Sequence, residues 1–516
     1  MIHEYKALLS VFFGVLIIIS CKVPKEEVPP NVILFFVDDL GWQDTSVPFW
    51  NKETYLNKRY YTPNMEKLSK LGVKFTNAYS TPVCSPTRVS LMTGMNAARH
   101  RVTNWTLQPD QKQPMENNHP TLDFPDWNFN GMAVSKPISN AIYATPLPKL
   151  LQQKGYYTIH AGKGHFGAIG YPSANPINLG FDVNIAGHAA GAPGSYLGEE
   201  NFGNGNEQRS VWAVPGLEKY HGKNIFLTEA LTQEALLALK KPIFEKKPFF
   251  LYLSLYGVHT PLMADQRFFQ KYIEKGIPME EAKYASMIES MDSALGEVLN
   301  FIEKEKIEKN TVVLFMSDNG GLSAVARAGK KHTHNAPLKS GKGSIYEGGI
   351  RVPMLAYWPG VSTPKTKVED PVIIEDFFNS ILEITGGEKV TTIQEIDGHS
   401  FVPLLKGLPK KNRPLFWHYP NEWGLDGPGI GSFSAVRDGN WKLIFFHHDQ
   451  HFELYNLIMD IGEANNLSLI EKERTKILSR ILSTHLRLVG AQMPRDKKTK
   501  EQVLWPDEAL SNRVKD

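Results

Sequence analysis

The chain has 516 residues, with 57 Lys and Arg against 54 Asp and Glu, for a formal net charge of +3. At roughly 150 residues per domain this length accommodates one large domain and a smaller one, and 42% hydrophobic with 22% charged residues supplies a buried core. These figures exclude a disordered chain, a collagenous fibre and a disulfide-stapled miniprotein, and the near-balanced charge argues against a nucleic-acid binder, which needs a basic face.

At the N-terminus His3 and Lys6 precede an apolar run, Ala7 to Ile19, too short to span a bilayer comfortably. It ends in Ile-Ile-Ser20-Cys21 and resembles a bacterial lipoprotein signal. That resemblance implies removal of residues 1–20 as signal peptide, lipidation of Cys21 (palmitate included) and a Pro-rich tether over 21–30. Lys25-Glu26-Glu27 resembles the export signal of Bacteroidetes surface lipoproteins. The expected location is therefore a bacterial membrane, the outer one, held by a lipid anchor. A plain secretory signal with an incidental cysteine is the alternative. The only other cysteine is Cys84, too few for a disulfide framework, and each is expected to have its own chemistry.

Four continuous apolar runs predict buried strands: Asn31-Val37, Tyr156-His160, Pro248-Leu255 and Thr311-Met316. Helical patterns separate them at Pro63-Leu71, Leu147-Lys154, Ile225-Leu239 and Tyr284-Glu303. This alternation predicts an α/β fold, a large mostly parallel sheet flanked by helices on both faces. His100 to Thr145, rich in Asn, Pro, Gln and Trp, predicts an irregular insertion, and Ala186 to Gln208 is a second Gly/Asn-rich stretch. Past Gly387 the texture changes: Phe433-Val436, Trp441-Phe446 and Phe452-Tyr455 predict short antiparallel strands before a helix over Ile470-Leu488. The expected domains are residues 31–386 and a smaller C-terminal α+β unit, 387–516.

Ligands of open parallel sheets bind beyond the carboxyl ends of the strands. The first run ends in Asp38-Asp39 and the fourth in Asp318-Asn319-Gly320. Three carboxylates and an amide oxygen make a hard, oxygen-only set suited to Ca²⁺ or Mg²⁺, although helix capping explains many isolated acidic pairs. The second run leads to Lys163 and His165, the third to His259, and Lys342 stands between two glycines in Ser340-Gly-Lys-Gly-Ser344. Lysine beside closely approaching backbone suits an anion. In Val83-Cys84-Ser85-Pro86-Thr87-Arg88, Ser85 is expected to cap a helix whose first residue is Pro86. Cys84 would then stand at the positive end of the macrodipole.

Cys84-Ser-Pro-Thr-Arg88 resembles the Cys-x-Pro-x-Arg signature of the type I sulfatases of the alkaline phosphatase superfamily. Gly162-Lys-Gly-His-Phe-Gly167 resembles that family's Gly-Lys-Trp-His-Leu-Gly, with Gly164 in place of tryptophan. Asp38-Asp-Leu-Gly41, Ser317-Asp-Asn-Gly320, Gly341 to Pro353 and Ala435 to Leu443 also look like family blocks, so the resemblance runs from Asn31 to about Leu467.

The resemblance implies an alkaline phosphatase-like fold and a sulfuric ester hydrolase. It further implies oxidation of Cys84 to Cα-formylglycine (3-oxoalanine) by a formylglycine-generating enzyme, the hydrated aldehyde then attacking sulfur. Ca²⁺ would be held by Asp38, Asp39, Asp318 and Asn319, with modified Cys84 completing the site. Arg88 would orient the diol, and Lys163 and Lys342 would neutralise sulfate oxygens. His259 would protonate the leaving oxygen, and His165 would help expel sulfate and restore the aldehyde. The expected substrate is a sulfated oligosaccharide or polysaccharide, from algal ulvan or carrageenan or from animal glycosaminoglycans, with Trp105, His188 and His334 as candidate substrate contacts. Trp127 is either a second sugar contact or a loop anchor. A phosphonate or phosphate-ester hydrolase and a catalytically silent glycan-binding lipoprotein are the alternatives.

Overall fold

Seven consecutive residues, Asn31–Val37, form β1, and all seven are buried. Their alternation divides them between two cores: Val32, Leu34 and Phe36 join one cluster, Ile33, Phe35 and Val37 the other. Such a strand can only lie inside a sheet covered on both faces. The structure, a computed structural model, describes residues 29–112, 118–324, 327–387 and 390–513. The signal segment, Cys21 and nearly all of the tether lie outside the described residues.

The large sheet has nine strands: β1, β2 (Val73–Tyr79), β3 (Tyr157–Gly162), β4 (Val183–Ile185), β5 (Phe249–Ser254), β6 (Thr311–Ser317), β7 (Arg351–Tyr357), β8 (Thr366–Val368) and β9 (Val372–Ile373). Their order is β8-β2-β7-β6-β1-β5-β3-β4, with β9 also pairing with β2. Every pairing is parallel except the two made by β7, which runs antiparallel to β2 and β6. The four expected strands are β1, β3, β5 and β6, the central ones. Helices cover both faces, among them Pro63–Leu71, Leu147–Gln153, Leu227–Phe244 and Met279–Lys304. The third of these contains Pro242 and runs past its expected end.

A separate antiparallel sheet follows, β10 (Leu415–Tyr419), β11 (Phe433–Asp438), β12 (Trp441–Phe446) and β13 (Phe452–Asn456), with the helix Lys472–Leu488 behind it. Trp417, Phe433, Ala435 and Ile444 pack in the same core cluster as Phe75, Tyr79 and Met354 of the large sheet. A buried ion network joins the two sheets: Lys442 Nζ lies 2.9 Å from both Glu347 Oε1 and Glu463 Oε1. The insertion over 100–145 carries three short strands, Leu122–Asp123, Gly131–Ala133 and Ala141–Tyr143. Trp127 is buried there edge-on to Phe129, so it anchors the loop and is not a sugar contact. No described helix is long and apolar enough to cross a membrane.

Candidate active site

β1 and β6 are paired so that Val37 lies opposite Ser317. The next residue of each strand, Asp38 and Asp318, therefore reaches the same sheet edge, and Asp318 N–H donates to Val37 O at 2.9 Å. Asp39 then turns out of the strand with φ +58°. On the other side of β1, the end of β3 is pressed against Ser254 of β5. A Cβ on Gly162 (φ +104°) would lie 1.9 Å from Ser254 O, so only glycine passes there. That close approach delivers Lys163, whose N–H donates to the same carbonyl at 2.7 Å.

Three cations, Lys163, Lys342 and Arg88, and one imidazole, His259, face the carboxylates. Lys163 Nζ lies 2.6 Å from Asp38 Oδ2, and Lys342 Nζ 2.7 Å from Asp39 Oδ1. Arg88 donates from Nε and Nη2 to Asp318 Oδ2 at 3.0 and 2.8 Å, and from Nη1 to Ser254 Oγ at 2.6 Å and Lys163 O at 3.1 Å. The guanidinium thus places two charge-assisted hydrogen bonds on one buried oxygen of Asp318 and also fixes the Lys163 backbone. His259 Nε2 faces Asp39 Oδ2 at 3.7 Å, while its Nδ1 donates to Thr260 O at 2.7 Å.

Three oxygens are left over. Asp38 Oδ1, Asp39 Oδ2 and Asn319 Oδ1 are buried without a hydrogen-bond partner among the described residues. Buried polar atoms are nearly always satisfied, so an orphaned set converging from two strand ends marks a place for a cation. All are hard oxygen donors, which fits Ca²⁺. Asp38, Cys84 and Asp318 also present potential ligand atoms within 4.8 Å of one another. Burial and the Asp318 charge push the Asp38 carboxyl well above its usual range, against Lys163. Burial acts the same way on Asp39, but Lys342, His259 and Lys163 outweigh it and keep that carboxylate charged.

Cys84 is the first residue of the helix Cys84–Thr93, and Val83 occupies the cap position. This corrects the expected start: Ser85 does not cap, because its Oγ accepts the Thr106 N–H at 3.1 Å and ties the helix to the insertion. Cys84 remains at the positive helix end, a buried free thiol whose pKa is raised by that burial. His165, at φ +57°, donates from Nε2 to Thr106 O at 2.9 Å. Its Nδ1 has no partner among the described residues and is left as the acceptor. Burial, with Lys163 and Arg88 nearby, holds His165 well below the usual imidazole range; burial and Lys342 push His259 down to about 3 despite Asp39.

The Sulfatase family model matches residues 30–387, and the model for the C-terminal part of N-sulphoglucosamine sulphohydrolase matches residues 341–492. This chain belongs to the sulfatase family. It is accordingly a hydrolase of sulfate esters. A sulfatase of Formosa agariphila is 29% identical over 511 residues, covering 89% of this chain and 88% of that one. The N-acetylgalactosamine-6-sulfatase of Homo sapiens is 28% identical over 494 residues, covering 88% and 84%. Among solved structures, Ps i-CgsB superposes with a TM-score of 0.68 at 26% identity, covering 94% of this chain and 97% of that one, and is also known in complex with k-i-k-neocarrahexaose.

In this sulfatase all the expected charged residues meet at one sheet edge. The three expected substrate contacts do not form one group. Trp105 is half-buried between Asn104 and Thr106, next to the His165 and Ser85 contacts. His188 is half-buried, its carbonyl accepting the His165 N–H at 3.0 Å, and its ring lines a cavity of about 720 Å³ with Tyr171, Asn175 and Asn178. Gly164 makes room for that carbonyl, since a Cβ there would lie 2.9 Å from it. His334 is buried elsewhere: it donates to Ala328 O beside Arg327, which pairs with Asp44 in a layer behind Asp39. Sequence reasoning missed Ser254, the partner of Arg88, and Trp423, which lies beside Lys342. Ser254 lies near the end of the expected strand Pro248-Leu255 and could have been found there; Trp423 carries no local signal.

Proposed function

We propose that this sulfatase hydrolyses sulfate esters on a sulfated carbohydrate, an oligosaccharide released during breakdown of an algal polysaccharide. The observation that carries the hydrolytic reading is the meeting, at the sheet edge where Cys84 lies beside Asp38 and Asp318, of two lysines paired to Asp38 and Asp39 and of three orphaned oxygens. The complex of Ps i-CgsB with k-i-k-neocarrahexaose supports the carbohydrate class. The N-acetylgalactosamine-6-sulfatases among the relatives favour a second reading, a glycosaminoglycan substrate.

Asp38, Asp39, Asp318 and Asn319 would hold Ca²⁺. When bound, that ion supplies Lewis-acid stabilisation of the charge on nucleophile and sulfate oxygens. Cys84, oxidised to Cα-formylglycine by a formylglycine-generating enzyme, would supply the hydrated aldehyde as nucleophile. Lys342 and Lys163 neutralise sulfate oxygens from opposite sides of the carboxylate cage. Arg88 holds Asp318 and the Lys163 backbone, fixing two walls of the site at once. His259, its Nδ1–H held by Thr260 O, presents a bare Nε2 beside Asp39 that would first take up a proton and then pass it to the leaving oxygen, and His165, anchored through Nε2, takes a proton at Nδ1 as sulfate departs.

Residues 31–386 serve in this reading as the catalytic domain and 387–516 as a C-terminal subdomain. Cys21 serves as a lipid anchor in the bacterial outer membrane. The described chain enters β1 at its amino end, where Pro29 O and Pro30 O accept from Asn310 and Tyr156. The catalytic edge is at the other end of that seven-residue strand, roughly 20 Å away. A tether attached there turns the catalytic mouth away from the membrane.

The test is a panel of defined sugar sulfates, of algal and glycosaminoglycan type, each paired with its phosphate analogue, with released sulfate or phosphate as readout. Turnover of a sugar sulfate well above its phosphate supports the reading. Faster phosphate release, or no turnover of any sugar sulfate, overturns it.

A further inference from the structure

The segment 420–431 joins β10 to β11 and belongs to the C-terminal sheet, yet it is fastened to the catalytic edge on both flanks. On one flank Asn421 Nδ2 donates to Thr103 Oγ1 at 2.6 Å, and Asn104 Nδ2 donates to Glu422 O at 3.0 Å. That flank leads through Trp105 to Thr106, the partner of His165 and Ser85. On the other flank Ser344 Oγ donates to Pro428 O at 2.8 Å, and Ile345 N–H donates to Gly429 O at 3.0 Å. The loop is therefore a fixed rim of the site, and Trp423 stands between its two attachments.

Trp423 is placed by contact with the lysine segment itself. A Cβ on Gly343 (φ +86°) would lie 2.1 Å from Trp423 Cε3, so the indole rests flush on that glycine. Its ring centroid is 5.9 Å from Lys342 Nζ, and Lys342 Nζ is 2.7 Å from Asp39 Oδ1. The side chain is only half-buried: part of it packs on the core and part faces solvent at the mouth. From Pro420 to Ser432 the segment contains no basic residue, and its two acidic residues, Glu422 and Asp426, lie one position before and three positions after Trp423. A partly exposed aromatic ring beside the Lys342 anion site, on a segment whose own charged side chains are both carboxylates, suits the apolar face of a sugar and disfavours a second anion.

Resting on the carbohydrate reading above, we propose that Trp423 is a specificity-determining residue. It stacks on the pyranose ring that carries the scissile sulfate, and it selects a ring with no second sulfate or carboxylate on the side facing Glu422 and Asp426. The C-terminal sheet thereby contributes to substrate choice through one loop, while the sulfur chemistry stays with the large sheet.

The test uses the full, matured protein and the sugar sulfate that the wild type turns over best. Trp423→Ala should raise KM about tenfold or more, with kcat changing less, and Trp423→Phe should restore most of the loss. The inhibition constant of inorganic sulfate is measured alongside, as a probe of Lys342 without sugar and as a check that the variant is folded. It should stay within about twofold of wild type. An unchanged KM in a variant that still binds sulfate overturns the proposal. So does a rise in the sulfate inhibition constant with a matching fall in kcat, because Trp423 would then only prop Lys342. If the wild type turns over no sugar sulfate at all, the carbohydrate reading fails and this inference falls with it.

Discussion

Replacing Lys442 by methionine isolates the buried network that joins the two sheets. The ammonium makes two 2.9 Å contacts, and the side chains of Lys442, Glu347 and Glu463 are all fully buried. Without it Glu347 still has Arg351 at 3.3 Å and the Tyr79 hydroxyl at 2.7 Å. Glu463 keeps the Glu347 backbone N–H at 2.6 Å and loses its counter-charge. Leaving one buried charge uncompensated costs about 3–5 kcal/mol. Burial and the Glu347 charge already push Glu463 up to about 7 against the pull of Lys442. A carboxyl raised on folding contributes stability that is present below its unfolded value of about 4.5 and is lost as pH rises through its folded value. The Lys442→Met deficit should therefore be larger near about pH 8 than near about pH 5, where Glu463 takes up a proton. Urea unfolding followed by tryptophan fluorescence reads both quantities. Adding Glu463→Gln, which still accepts the Glu347 N–H, should recover at least half of the loss. A Lys442→Met deficit below about 1 kcal/mol, or a double variant no more stable than the single one, would refute the reasoning.

Thorough chelation should abolish most of the activity and lower the thermal midpoint, because without the metal Asp38 Oδ1, Asp39 Oδ2 and Asn319 Oδ1 stay buried with no partner among the described residues, and Asp318 and Asp39 repel the Asp38 carboxylate; calcium should restore both, and full activity in a demonstrably metal-free preparation would contradict the oxygen-ligand site. His418 is buried between Ser434 Oγ and Gln492 O, each at 2.8 Å, and burial pushes it down to about 4. Its contribution is complete above the unfolded value of about 6.5 and is lost as pH falls toward 4. His418→Gln should thus flatten the acid limb of stability by about 1.4 kcal/mol per pH unit, and an unchanged slope would count against a neutral buried imidazole.

The central strands and the charged residues at their ends were legible because each is a continuous apolar run followed at once by polar chemistry: β1 into Asp38, β3 into Lys163, β6 into Asp318. β2 was missed since Lys74, Thr76 and Asn77 interrupt its apolar residues, two of them facing partly outward near the sheet edge. β7 was read only as part of a resemblance, and its antiparallel placement between β2 and β6 depends on pairing at long range that no local pattern encodes. Ser85 illustrates a tertiary contact overriding a local one: Thr106 takes the hydroxyl that a cap would use. Trp423 could not be found from sequence, because its place beside Lys342 arises from 80 residues of intervening chain folding back onto one glycine.

The most direct measurement of the central claim is the mass of the peptide spanning Val83 to Arg88, taken from protein whose sulfate-releasing activity has been determined. Conversion of the Cys84 thiol to an aldehyde makes that peptide about 18 Da lighter, and specific activity should rise in proportion to the converted fraction across preparations. Full activity in a preparation whose Cys84 is wholly an unmodified thiol would contradict the assignment of the nucleophile.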